Sequence, residues 1–187
     1  MTPEDIKITS GLNEYQNAEF EQNDKMIDYE ISRNPNYADI IAIYNGLNVI
    51  SEFYDVSAAV TTTPTGICAV ALGKELSEAV QCVIDSDPVD YINSVITLSK
   101  EVDSDLAKMF RDVHTVVAPS FTKNAVDYLE AHDVCYMTVK TPLKEYKKYI
   151  SNTILQTPLG TITQGANLSE LDKESFKVMT KIKPTVE

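Results

Sequence analysis

The sequence predicts a three-layer α/β/α sandwich around a mixed, mostly parallel sheet. Three observations carry that reading. Strand-like apolar runs alternate with helical stripes through the middle of the chain, the pattern of βαβ crossovers that place helices on both faces of a sheet. The first two strand-like runs are joined by too short a link for a crossover, so they pair antiparallel. At 187 residues, 43% of them hydrophobic, the chain has the size and apolar content of one domain with an ordinary core.

The elements follow in order. Residues 1–34 are polar and weakly periodic, with "QNAEFEQND" among them, and read as an N-terminal arm; residues 35–187 read as a single lobe. Over "NPNYADIIAIYNGLNVISEF", Ile40, Ile41, Tyr44, Leu47, Val49 and Ile50 recur mainly at spacings of three and four, which predicts an amphipathic helix over Tyr37 to Phe53. Asn34 or Asn36 caps its start, and Gly46 weakens it by roughly 1 kcal/mol against alanine. "VSAAVTT" is a β-run and "GICAVALG" a second one, separated by a Thr/Pro loop. In "KELSEAVQCVIDSDP" a stripe of Leu76, Ala79, Val80, Val83 and Ile84 marks a helix that Pro88 ends. "SVITLS" reads as a strand, and "VDSDLAKMFRD" as a short helix capped by Asp103 or Ser104. "VHTVVAPS" is a strand stopped at Pro119, "TKNAVDYLEAH" a helix capped by Thr122, and "VCYMTV" a strand. Beyond Lys140 come the short basic "LKEYKKYI", two short strands in "TILQTPLGTITQ", and a strand-like "FKVMTKIKPT".

Charge and cysteine usage exclude several classes. Acidic residues number 28 against 16 basic, for a net charge of −12. That balance argues against nucleic-acid binding, which needs clustered Lys and Arg. Only Arg33 and Arg111 are arginines, the residue favoured for bidentate grip of phosphate. The three cysteines, Cys68, Cys82 and Cys135, form no Cys-x-x-Cys pair, so neither a disulfide framework nor a zinc knuckle is expected. The N-terminus has no signal-peptide pattern and no apolar run is long enough for a membrane helix, which makes a cytoplasmic location the expectation.

The groups that could carry chemistry each have a plainer reading. Cys68 is a nucleophile only with a base beside it, and otherwise a small buried hydrophobe. His114, ahead of a strand, and His132, at a helix end, are acid–base groups or surface and capping residues. The acid clusters "DSDPVD" and "EVDSD" sit at helix ends, where Asp and Ser serve as caps and turn formers. Phosphate-loop and zinc-deaminase motifs are absent, and no metal site is expected.

The order of the segments resembles a family. "SGLNEYQNAEF", "SAAV", "ALGKELSEAVQCVIDSDPV", "EVDSDLAKMF", "VVAPSFTKNAVDYL" and "FKVMTKIKPT" are similar to successive pieces of the first transformylase lobe of the AICAR formyltransferase/IMP cyclohydrolase family, from Ile8 to Glu187. The resemblance implies a cytidine-deaminase-like α/β/α fold. It also places the family's catalytic Lys-His pair on Thr63 and Pro64, and neither residue transfers protons near neutral pH. The family's Asp-Pro-Val-Ser-Ala-Phe-Gly-Gly turn falls on Asp87 to Ser94. The ligand-binding positions it implies are Gly11, Asn13, Gln16, Thr65, Gly66, Cys68, Asp90 and Asn93, for a purine-ribonucleotide-like ligand. Two functions follow as expectations. One is a lobe that acts by ligand or partner binding and needs no cofactor. The other is a subunit of a split phosphoribosylaminoimidazolecarboxamide formyltransferase, completed by a separate second lobe and using 10-formyltetrahydrofolate. Either implies association, as a homodimer or with a second transformylase-like lobe.

Overall fold

A computed structural model describes residues 1–2, 6–8, 10–13, 15–21 and 26–166. The segment "FKVMTKIKPT" and Thr9 lie outside these residues. The chain divides into two compact units, Met1–Tyr149 and Ile150–Glu187.

The first unit holds a six-stranded sheet. Its strands are β1 (Tyr29–Ile31), β2 (Ser57–Thr63), β3 (Gly66–Gly73), β4 (Val95–Leu98), β5 (Thr115–Ala118) and β6 (Cys135–Val139), in the order β1-β6-β5-β4-β2-β3. The pairs β4–β5 and β5–β6 are parallel, whereas β1–β6, β2–β4 and β2–β3 are antiparallel. Four of the six strands (β3, β4, β5 and β6) therefore run the same way, as the alternating pattern predicts. Strand β1 lies inside the stretch read as an arm. Its neighbour β6 is more than 100 residues away in sequence, as in the pair Ile31–Met137, and no local pattern announces so short an edge strand.

One face of the sheet is covered by α1 (Tyr37–Ile50) and the 3₁₀ segment Leu143–Tyr149, which buries Leu143 and Tyr146. The other face is covered by α2 (Leu76–Ser86), α3 (Pro88–Tyr91), α4 (Ser104–Ala107) and α5 (Lys123–Ala131). Their side chains, among them Val80, Val83, Leu106 and Leu129, meet Ala59, Ile96, Leu98, Val116 and Ala118 of the strands in one apolar core with the fully buried Phe110. The three-layer arrangement is the one expected.

Caps fix the helix starts. Asn36 caps α1 in a reciprocal box: Asp39 N–H donates to Asn36 Oδ1 and Asn36 N–H to Asp39 Oδ2, both at 2.9 Å. Asp103 accepts from two N–H groups of α4, and Thr122 from one of α5. Pro88 does more than end α2. It opens α3 at the first helical position, where its missing N–H costs nothing, while Asp87 caps the turn.

The buried face of α1 differs from the stripe of large residues. It consists of Ala42, Ile43, Gly46, Leu47 and Ile50, whereas Tyr44 is exposed. Small residues set this face because the helix lies close to the sheet. A Cβ on Gly46 would be driven into the Thr97 side chain of β4. The hydroxyl of Thr62 on β2 donates to the Ala42 carbonyl at 2.8 Å, bonding strand directly to helix backbone.

The second unit carries a hairpin of β7 (Thr153–Thr157) and β8 (Gly160–Gln164), the two short strands expected around Pro158. Its tight turn needs Gly160 at φ 134°.

The contact at Gly46 generates a prediction. Gly→Ala inside a helix ordinarily stabilises by about 1 kcal/mol. Gly46→Ala is expected instead to destabilise by about 1–3 kcal/mol through overpacking. Gly46→Ala combined with Thr97→Ala should recover part of the loss. Urea denaturation of the three variants measures both; a stabilised single variant would contradict the close seat of α1.

Candidate functional site

The expected Thr/Pro loop is present and is one residue shorter than the three the sequence implies. Strand β2 runs through Thr63 and β3 starts at Gly66, so only Pro64 and Thr65 form the turn of a β-hairpin. The Thr63 and Thr65 hydroxyls hydrogen-bond at 2.8 Å across that turn. Gly66 takes φ 149°, a backbone state that side-chain-bearing residues rarely adopt, although a Cβ there would meet nothing.

Cys68 sits at a β-bulge. Thr61 pairs with Ala69 and Thr62 with Ile67, leaving Cys68 as the extra residue of β3. Burial pushes its thiol pKa up; a hydrogen bond from the Thr63 side works against this, and the charges of Asp90 and Asp87 push it further up. The thiol is therefore held protonated, the opposite of an activated nucleophile.

A cavity of about 200 Å³ opens beside the hairpin. Thr62, Thr63 and Pro64 supply one wall, and the first turns of α1 supply another through Asn36, Ala38, Asp39 and Ala42. Asn93, Val95 and His114 close it from the starts of β4 and β5. The backbone holds these last residues in place. Asn93 N–H donates to the Asp112 carbonyl at 2.9 Å, and His114 N–H to the Ser94 carbonyl at 2.9 Å. Asn93 adopts φ 63°, a conformation that Asn tolerates better than most residues.

His114 and Asp39 meet in this cavity. Nδ1 of His114 lies 3.1 Å from Asp39 Oδ1, and the Asp39 side chain is only 14% exposed. The same Nδ1 is 3.1 Å from the Thr115 hydroxyl. Asp39 thus has one oxygen on the helix cap and the other on the imidazole. No lysine or arginine lines the cavity among the described residues. The arrangement can exchange a proton at His114 and hydrogen-bond an amide through Asn93.

The other candidate positions fall elsewhere. Gly11, Asn13 and Gln16 satisfy one another in an exposed turn: Gly11 N–H donates to the Gln16 carbonyl at 2.6 Å and the Asn13 amide to Gln16 Oε1 at 3.0 Å. They do not line the cavity, and neither do Thr65, Gly66, Cys68 or Asp90. His132 stacks on Tyr128 at the end of α5, with its Nδ1 2.8 Å from the Tyr128 carbonyl. The "EVDSD" acids line a different depression of about 540 Å³ with Glu75 and Lys100. There Glu101 accepts from Ser120, Asp103 caps α4, and Asp105 pairs with Lys108. Among the described residues no group of three or more His, Cys, Asp or Glu is placed to hold a metal ion.

The family model described as "AICARFT/IMPCHase bienzyme" matches residues 3–187. The chain belongs to the AICARFT/IMPCHase family. Its curated relatives include the bifunctional purine biosynthesis protein PurH of Halalkalibacterium halodurans, 28% identical over 141 residues, which span 74% of this chain and 27% of that protein. PurH of Staphylococcus carnosus is 25% identical over 142 residues, 74% of this chain and 28% of that protein. The chain therefore spans about a quarter of the length of these AICARFT/IMPCHase relatives.

Sequence reasoning singled out His114 but not Asp39. Asp39 reads as an ordinary third-position helix residue, and its second role depends on a contact across 75 positions of the chain, from 39 to 114.

The Cys68 environment predicts slow alkylation. With its pKa raised, the thiolate fraction at pH 7.5 lies below that of a free cysteine. Iodoacetamide followed by peptide mapping should label the exposed Cys82 well before Cys68. Labelling of Cys68 first at neutral pH would contradict the assignment.

Proposed function

We propose that this chain is a transformylase-like lobe that does not transfer formyl groups by itself and acts by binding a small ligand or a partner. One observation carries the reading. Thr63 and Pro64, where the resemblance puts the family's proton-transfer pair, line the cavity and are themselves neither acid nor base. Thr63 spends its hydroxyl on Thr65, and Pro64 forms the hairpin turn. The chain needs no cofactor in this role.

A second reading is favoured by His114. An imidazole flanked by a carboxylate in the same cavity is a base with its orienting partner. In a split formyltransferase completed by a second lobe, it would take over the proton transfer, with 10-formyltetrahydrofolate as formyl donor.

Self-association accompanies either reading, with a second copy as the occupant. Among the described residues strand β3 ends the sheet with one side unpaired, and it carries no charge from Gly66 to Gly73. Ile67, Val70 and Leu72 are 54%, 42% and 53% exposed along it. A long uncharged edge strand is a template for pairing, and two such strands are mutually complementary. No helix among the described residues is long and apolar enough to cross a membrane.

Two expectations follow. The isolated chain should yield no formylated product from AICAR and 10-formyltetrahydrofolate; turnover by the chain alone would end the non-catalytic reading. Turnover that appears only with an added second lobe and is lost in His114→Gln would select the split enzyme. In light scattering the chain should run as a dimer, and Val70→Lys on β3 should shift it to monomer. A monomeric parent chain would remove the basis for the edge pairing.

A further inference from the structure

We propose that the β7–β8 hairpin is a self-pairing arm. Strand β8 of one copy lies antiparallel to β8 of a second copy about a twofold centred on Ile162, and the two hairpins become one four-stranded sheet. The contact goes beyond the β3 edge and does not depend on it.

Charge selects the occupant. The chain is 24% charged with a net charge of −12, yet no charged residue occurs from Tyr149 to Ser169. Copies of so acidic a chain repel one another wherever carboxylates meet. The hairpin is a surface on which two copies approach with no carboxylate on either side. It offers no carboxylate to a basic partner and no ammonium or guanidinium to an acidic one, which leaves an uncharged surface like itself as its match.

Exposure shows that the hairpin has room for a partner. A lone two-stranded hairpin is marginal in water, and stability comes with three or more strands or with packing. Among the described residues β7 and β8 pair only with each other. Every residue of β8 is exposed, and in β7 only Thr157 is half-buried. Ile154, Leu155 and Ile162 are each more than half exposed. Edge strands that avoid pairing carry a lysine, a proline or a bulge. Strand β8 carries none of these, and its ladder with β7 has no register shift. Its centre, Thr161-Ile162-Thr163, is β-branched at all three positions, which suits a paired strand.

The side chains choose the register. Leu155 stands opposite Ile162 within the hairpin. A twofold through Ile162 sets it against Ile162 of the second copy, and Thr161 against Thr163 of the second copy. One face of the joined sheet then carries an unbroken apolar row, Leu155 and Ile162 from each copy. The other face sets threonine against threonine, a favourable cross-strand pair. A slip of one residue would place each Ile162 against Thr161 of the second copy and break the row. The pairing covers only the five residues of β8, a small contact of the weak, transient kind. It therefore forms at higher concentration than the β3 dimer.

The test uses the full chain. Between about 10 μM and about 1 mM, amide hydrogen exchange at Thr161 and Thr163 should slow at least tenfold. Ile162→Lys, which brings like charges face to face, should abolish that slowing. Cross-linking reads the register in the Cys82→Ser background, which removes the exposed native thiol. Directly opposed residues have Cα atoms about 4.5–5.5 Å apart, within the about 4.4–6.8 Å span of a disulfide. The Leu155 positions of the two copies lie three strand spacings apart, about 14 Å, beyond that span. Ile162→Cys in oxidised-glutathione buffer should therefore give at least tenfold more disulfide-linked dimer than Leu155→Cys. Exchange that does not change with concentration, Ile162→Lys without effect, or equal cross-linking at the two positions would each overturn the proposal. The first of these is read on the unmodified chain, so a variant that misfolds does not spare it. Repeating the measurements with Val70→Lys removes β3 pairing, so failure of the β3 contact and failure of the hairpin contact are distinguishable.

Discussion

The close seat of α1 on the sheet is the constraint on which the rest of the site depends. Two small features allow it. Gly46 has no Cβ to meet Thr97, and Thr62 bonds its hydroxyl to the Ala42 carbonyl rather than holding the helix off. Asn45 adds a side-chain bond to the Thr63 carbonyl at the hairpin end. With the helix this near, its capped N-terminus reaches the ends of β2, β4 and β5. Asp39 then stands beside His114, and the cavity closes between them. A larger residue at position 46 would lift the helix and open that wall.

The same arrangement explains why a carboxylate is tolerated at a largely buried position. Burying a charge costs several kcal/mol unless it is paired and hydrogen-bonded. Asp39 is both: Oδ2 accepts the Asn36 N–H and Oδ1 faces the imidazole. Fold and site therefore share one side chain. A change there alters the helix cap and the cavity together.

Much of the fold is legible in the sequence because the relevant patterns are local. The caps at Asn36, Asp103 and Thr122, the α2 stripe and the antiparallel start of the sheet each rest on neighbours within one or two turns. Three features are not legible, each for a physical reason. The buried face of α1 runs through Ala42 and Gly46, and counting large apolar residues overlooks close packing by small ones. Strand β1 is three residues long and owes its existence to β6. Of the site, the cavity residues Thr63, Pro64 and Asn93 were marked by the family resemblance, while the pairing of Asp39 with His114 is a product of topology. Gly11, Asn13 and Gln16, expected from the resemblance as ligand-binding positions, spend polar groups on one another.

The turn from Asp87 to Ser94 brings one strained residue to the cavity. Within it Asn93 holds φ 63°. A non-glycine residue in that region costs free energy unless the surroundings require it, and Asn is among the side chains that bear it best. That backbone places Asn93 in the lining of the cavity. Tyr91 anchors the turn by donating its hydroxyl to the Met109 carbonyl at 2.7 Å. At the hairpin only Pro64 and Thr65 form the turn, and neither is an acid or a base. Thr63 and Pro64 bring no proton-transfer group to the cavity, whereas a carboxylate-flanked imidazole stands across it. The cavity thus rests on Asn93 in a costly backbone conformation and on Asp39, which divides its two oxygens between helix and histidine.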